Sequence, residues 1–133
     1  MTVLVDSSAL LALLNRRDHW HQTAVEILRQ LVDQGAVFIM TNFLLAEAHA
    51  LILARLGRDI ARQWLLTFDW NLIAVAPGDE KYAIEIIKRY EDKDFSLTDA
   101  TSFAVMQRHG IELAFTFDRH FKQYGLAVIG RPD

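Results

Sequence analysis

The sequence predicts an α/β protein in which a parallel sheet is sandwiched between helices and joined by right-handed crossovers. Three observations carry that expectation. Strand-length apolar runs alternate with amphipathic stretches along the whole chain. The runs lack in–out alternation, as expected of strands buried on both faces. Acidic residues directly follow two of the runs, at the edge where open parallel sheets gather their ligands.

Taken in chain order, Val3–Val5 is the first apolar run and Asp6 follows it at once. Ser8–Asn15 reads as a helix. His21–Gln34 reads as a second, with Ala24, Ile27, Leu28 and Leu31 on one face and Glu26, Arg29, Gln30 and Asp33 on the other. Val37–Met40 is the next strand and leads into a long helix, Asn42–Leu56. Gly57 separates that helix from another, whose stripe is Ile60, Ala61, Trp64, Leu65 and Phe68. Leu72–Ala76 has strand character, and Ala83, Ile86, Ile87 and Tyr90 mark one more helix. Asp94–Ser96 then connects helix to helix, the second being Leu97–His109. Leu113–Phe117 is a strand, a short helical turn follows Asp118, and Leu126–Ile129 is the last strand.

At 133 residues, 52% of them hydrophobic and with only 2 Pro and 6 Gly, residues 1–133 fit a single compact domain with ample core. Ala9–Leu14 is too short to span a bilayer, and no basic stretch precedes it as in a signal peptide. There is no cysteine, which excludes disulfides and thiolate metal sites and points to the cytoplasm. A net charge of −3 argues against a broad basic surface for nucleic acid. Nucleic acid reached through bound metal stays open, because divalent ions on a carboxylate cluster make the phosphate position locally positive.

The candidate site residues are Asp6, Glu47, Asp99 and Asp118. Asp6 and Asp118 follow strands, Asp99 lies in the first turn of Leu97–His109, and Glu47 lies two turns into Asn42–Leu56, so all four can project towards one sheet edge. Three have structural alternatives. Asp6 and Asp118 can cap the turns that follow them, and Ser96-Leu97-Thr98-Asp99 has capping-box spacing. Glu47 resists such an account, since Leu44, Ala48 and Leu51 surround it on an apolar helix face. A carboxylate there needs a charge partner, such as a metal ion, His49 or an arginine.

Hard oxygen ligands of this kind favour Mg²⁺ or Mn²⁺. His19, His21, His49, His109 and His120 show no zinc-site spacing and read as structural or surface residues. No Gly-rich phosphate loop or nucleophile elbow is present. Nothing in the sequence assembles a serine triad around Ser7 or Ser102. Arg55, Arg58 and Arg62 read as a solvated helix edge, with RNA contact as the lesser alternative.

With the acids placed, the pattern resembles the PIN-domain ribonucleases of the VapC toxin type. The matching segments are Val3-Leu4-Val5-Asp6-Ser7-Ser8-Ala9-Leu10, Ala46-Glu47, Phe95-Ser96-Leu97-Thr98-Asp99-Ala100 and Phe115-Thr116-Phe117-Asp118-Arg119-His120-Phe121. They span nearly the whole chain in the right order, and the last two are the more specific. The resemblance implies a three-layer α/β/α sandwich, Mg²⁺- or Mn²⁺-dependent endonucleolytic cleavage of RNA, a homodimer and a small antitoxin partner. It makes Asp6, Glu47, Asp99 and Asp118 the acidic constellation, with Thr116 a hydroxyl residue beside the fourth acid and Asp94 an auxiliary acid. Ser7 joins Thr116 as an expected hydroxyl donor behind the ligands, and Trp64, Phe68 and Trp70 are available to face a partner.

Other readings are weighed beside this one. A phosphoacceptor receiver domain needs an aspartate closing its third strand, and here that strand runs Ile73-Ala74-Val75-Ala76-Pro77. A stand-alone nuclease of RNA processing would lack an antitoxin, and a catalytically silent protein-binding domain would bind a partner without cutting RNA.

Overall fold

The computed structural model describes residues 1–132. It is an α/β sandwich around a five-stranded, all-parallel sheet of order β3-β2-β1-β4-β5. The strands are β1 (Thr2–Val5), β2 (Val37–Thr41), β3 (Asn71–Ile73), β4 (Leu113–Thr116) and β5 (Ala127–Gly130). The helices are α1 (Ser7–Leu14), α2 (His21–Asp33), α3 (Asn42–Leu56), α4 (Arg58–Leu66), α5 (Pro77–Arg89), α6 (Leu97–His109) and α7 (His120–Tyr124). β1 is the central strand, and its Val3, Leu4 and Val5 are wholly buried. Its pairing with β4 sets Val5 against Phe115, so the carboxyl ends of the two strands emerge side by side.

Local chemistry fixes the helix starts that matter for the site. Thr41 caps α3, its Oγ1 accepting the Leu44 N–H at 3.0 Å. Ser96 and Asp99 form a reciprocal capping box at α6, with both bonds at 3.0 Å. Pro77 opens α5, and the Asp79 carboxylate accepts the Ala76 N–H at 2.8 Å. Gly57, at φ 95°, takes a backbone conformation that other residues rarely adopt, and breaks α3 from α4.

Not every strand is buried on both faces. β1 is, but the edge strand β3 exposes Asn71 and Leu72. It is also shorter than the apolar run Leu72–Ala76 suggests. β3 pairs with β2 only as far as Thr41↔Ile73, because β2 ends where α3 begins. The Val75 N–H turns instead to the Asn42 side chain, at 2.8 Å. At the opposite edge, β5 seats Gly130 against Thr116, where a Cβ would lie 1.7 Å from the Thr116 carbonyl oxygen.

Candidate metal centre

Asp6 leaves β1 in an extended conformation and stands at the N-cap of α1, yet its side chain makes no cap bond. It turns instead to two hydroxyls. Ser8 Oγ and Thr116 Oγ1 both donate to Asp6 Oδ2, at 2.7 and 2.8 Å. Each hydroxyl accepts in turn a backbone N–H from the segment after β4: Phe117 to Ser8 at 2.9 Å, and Asp118 to Thr116 at 3.0 Å. With both protons given to Asp6, the 3.3 Å approach of Ser8 to Thr116 is a contact between acceptors, not a further bond. Asp6 Oδ1 has no hydrogen-bond partner among the described residues.

Burial dominates the electrostatics of this carboxyl, which is pushed up to about 6. The two hydroxyl donors pull it down, and the nearby charges of Asp99 and Asp118 raise it further. Glu47 projects from α3 and finds its partner in Ser7, whose Oγ donates to Oε1 at 2.5 Å. Glu47 Oε1 thus has a neutral hydroxyl donor, and neither His49 nor an arginine bonds the carboxylate among the described residues. Asp118 Oδ1 accepts the His120 N–H at 2.9 Å and so helps to start α7. Asp99 is at once a capping residue and a member of the cluster, since the oxygen that accepts the Ser96 N–H also lies 2.6 Å from His120 Nδ1.

The acids therefore form two overlapping groups that share Asp118. Asp6, Glu47 and Asp118 line one cavity of about 360 Å³, together with Asp18, Trp20, Leu51, Arg55 and Phe117. Asp99, Asp118 and His120 offer ligand atoms that all lie within 4.8 Å of one another. The carboxylate oxygens of this cluster suit a hard divalent cation, and the imidazole stands beside them. A buried carboxyl with an unbonded oxygen and two acidic neighbours is a place where such a cation lowers the energy.

Four assignments need revision. Asp94 stands exposed in the loop before α6 and lines neither the cavity nor the cluster, so no auxiliary role follows for it. The strand expected over Leu113–Phe117 ends at Thr116, and beyond it the Asp118 N–H turns back to the threonine hydroxyl. His120 is neither a surface nor a purely structural histidine, and its place two residues after Asp118 was the available signal. Ser8 was overlooked in favour of Ser7, although in the first turn of α1 either serine can reach back to the strand end.

A PIN domain family model matches residues 3–126, and the chain belongs to that family. It is 32% identical, over 98% of its own length and 99% of the relative's, to the 23S rRNA-specific endonuclease VapC20 of Mycobacterium tuberculosis. Ribonuclease VapC26 of the same organism is 25% identical over 90% of this chain and 89% of its own. The crystal structure of VapC20, described as a Sarcin-Ricin loop cleaving toxin, superposes with a TM-score of 0.83 at 30% identity, covering 97% and 99% of the two chains. VapBC2 from Rickettsia felis, solved bound to a DNA fragment from its promoter, shares the fold at a TM-score of 0.74 and 12% identity, covering 99% and 100%.

Proposed function

We propose that this chain is a metal-dependent endoribonuclease that hydrolyses RNA phosphodiester bonds as the toxin of a VapBC-type pair. Its single domain, residues 1–133, would act in the cytoplasm; no helix among the described residues is long and apolar enough to cross a membrane. The observation that carries the reading is Asp6: a buried carboxyl at the central strand's end, with one oxygen fixed by two hydroxyls and two more acids close by.

Asp6, Glu47, Asp99 and Asp118 hold Mg²⁺ or Mn²⁺ in this proposal. A divalent ion supplies a Lewis acid for the phosphate and an acidified water at neutral pH. The chain's own residues prepare the place for it. Ser8 and Thr116 keep Asp6 Oδ2 engaged, and Oδ1 has no donor among the described residues. Ser7 orients Glu47. Arg55, the one cationic side chain among the described cavity lining, is available to the RNA backbone.

The partners follow from the same reading. A small antitoxin would cover the acidic cleft and use the apolar groove that Leu10, Leu14, Leu28, Trp64, Phe68 and Trp70 line. A homodimer would bury Leu53, Ile60, Leu65 and Leu66, which α3 and α4 leave exposed.

The test is cleavage of purified ribosomal RNA, with 23S rRNA first because the VapC20 relative is named for it. Mn²⁺ should support cutting and EDTA should stop it. Asp6→Asn and Asp99→Asn should each lower the rate by more than about 100-fold, beyond the usual loss of an outer hydrogen-bond partner. Cutting that persists undiminished in EDTA and in both variants would sink the proposal.

A further inference from the structure

His120 has no part in the acidic constellation, yet it touches half of it. Its backbone N–H bonds Asp118 Oδ1 at 2.9 Å, and its Nδ1 lies 2.6 Å from Asp99 Oδ2 and 3.4 Å from Asp118 Oδ1. An ionised carboxylate only accepts, so Nδ1 carries the proton in the bond to Asp99. The ring is not free to wander. Phe95 meets it edge-on with centroids 5.6 Å apart, and its backbone is fixed as the first residue of α7. Asp99 Oδ2 thus receives two protein donors, the Ser96 N–H and the imidazole, whereas Oδ1 has none among the described residues.

We infer that His120 is a positioning residue of the metal centre. It ties Asp99 of α6 to Asp118 of the β4–α7 connection and turns one Asp99 oxygen away, so that the other is presented to the ion. This rests on the metal-centre reading above. In the common carboxylate–histidine–metal pairing the imidazole binds the ion and the carboxylate lies behind it; here the order is inverted, and the imidazole is the outer hydrogen-bond partner that a ligating carboxylate also needs.

The experiment is calorimetric titration of Mn²⁺ into the metal-free full chain, for wild type and for His120→Ala, His120→Asn and His120→Gln, with melting curves in EDTA to show that each variant is folded. Loss of an outer partner of this kind weakens metal binding by about 10–100-fold, and that is the result expected for His120→Ala. Asn places an amide N–H two bonds from Cβ, as His places Nδ1, so His120→Asn should recover most of the affinity. The Gln amide lies one bond further out and should not. Should His120→Ala fail to fold, the contrast between Asn and Gln carries the test. His120→Ala binding within about twofold of wild type would overturn the inference against that expected loss, as would equal binding by Asn and Gln. So would Mn²⁺–¹⁵N coupling in pulsed electron paramagnetic resonance of histidine-labelled protein, since it would make His120 a ligand. Wild type that itself fails to bind Mn²⁺ would instead overturn the metal-centre reading, and this inference with it.

Discussion

Two hydroxyls donate to one oxygen of Asp6, and they are not enough to hold its carboxyl in the ordinary range. Burial outweighs them, and the charges of Asp99 and Asp118 add to it, so the group rises to about 6. The sign of the consequence follows from linkage. A raised carboxyl contributes its stability below the unfolded pKa near ~4 and loses it as pH rises through the folded value. In EDTA the melting temperature should therefore fall between about pH 4 and pH 6, by an amount equivalent to about 3 kcal/mol. Asp6→Asn should flatten that fall. Stabilisation by Mn²⁺ should grow over the same interval, because the ion binds the deprotonated group. A wild-type profile in EDTA that rises through this interval would contradict the account. Asp6 was legible in the sequence because an acid after an apolar run stands at a sheet edge. The roles of Ser8 and His120 were harder to read, because each has one partner two residues away and another across the fold: Phe117 N–H is 109 residues from Ser8, and Asp99 is 21 from His120.

At the scale of elements, the starts of α3 and α6 matched expectation because Thr41 and Ser96 mark them chemically. The ends of β3 did not, because its length is set by β2 and not by its own apolar run. Asp99 shows why a capping reading and a ligand reading were both available, since one residue both caps α6 and stands in the carboxylate–histidine cluster. A comparable economy holds α5 to α6. Asp79 caps α5 through Ala76 and accepts two bonds from Arg108 of α6, at 2.9 and 2.8 Å. The Arg108 guanidinium holds the Asp79 carboxyl below its usual range, with burial opposing it. A depressed carboxyl contributes stability above its unfolded pKa and loses it as pH falls through the folded value. Asp79→Asn should therefore lower the melting temperature at neutral pH. The gap from wild type should close in acid. Melting curves from pH 7 downwards check this, and a gap that stays constant would remove the ion pair from the explanation.

For the molecule as a whole, strand and helix order were readable because short apolar runs alternate with amphipathic stretches of helical period, and the topology follows from right-handed crossovers. What the exposed faces meet was not readable, since an apolar residue on α4 looks the same whether it faces a core or a second protein. If Leu53, Ile60, Leu65 and Leu66 form a dimer face, light scattering after gel filtration should give twice the mass of 15.2 kDa at micromolar concentration. Leu66→Lys should halve it, and a monomeric wild type would remove the claim. The central position of β1 has a further consequence, and it concerns time. The hydroxyl of Thr116 that holds Asp6 is synthesised 110 residues after it. At about 5–20 residues per second, that interval is roughly 5–20 s. Throughout it β1 lacks β4, Asp6 lacks Thr116, and Asp99 and Asp118 have yet to be made or seated. Over that interval the nascent chain, on a ribosome built largely of RNA, has no assembled carboxylate cluster.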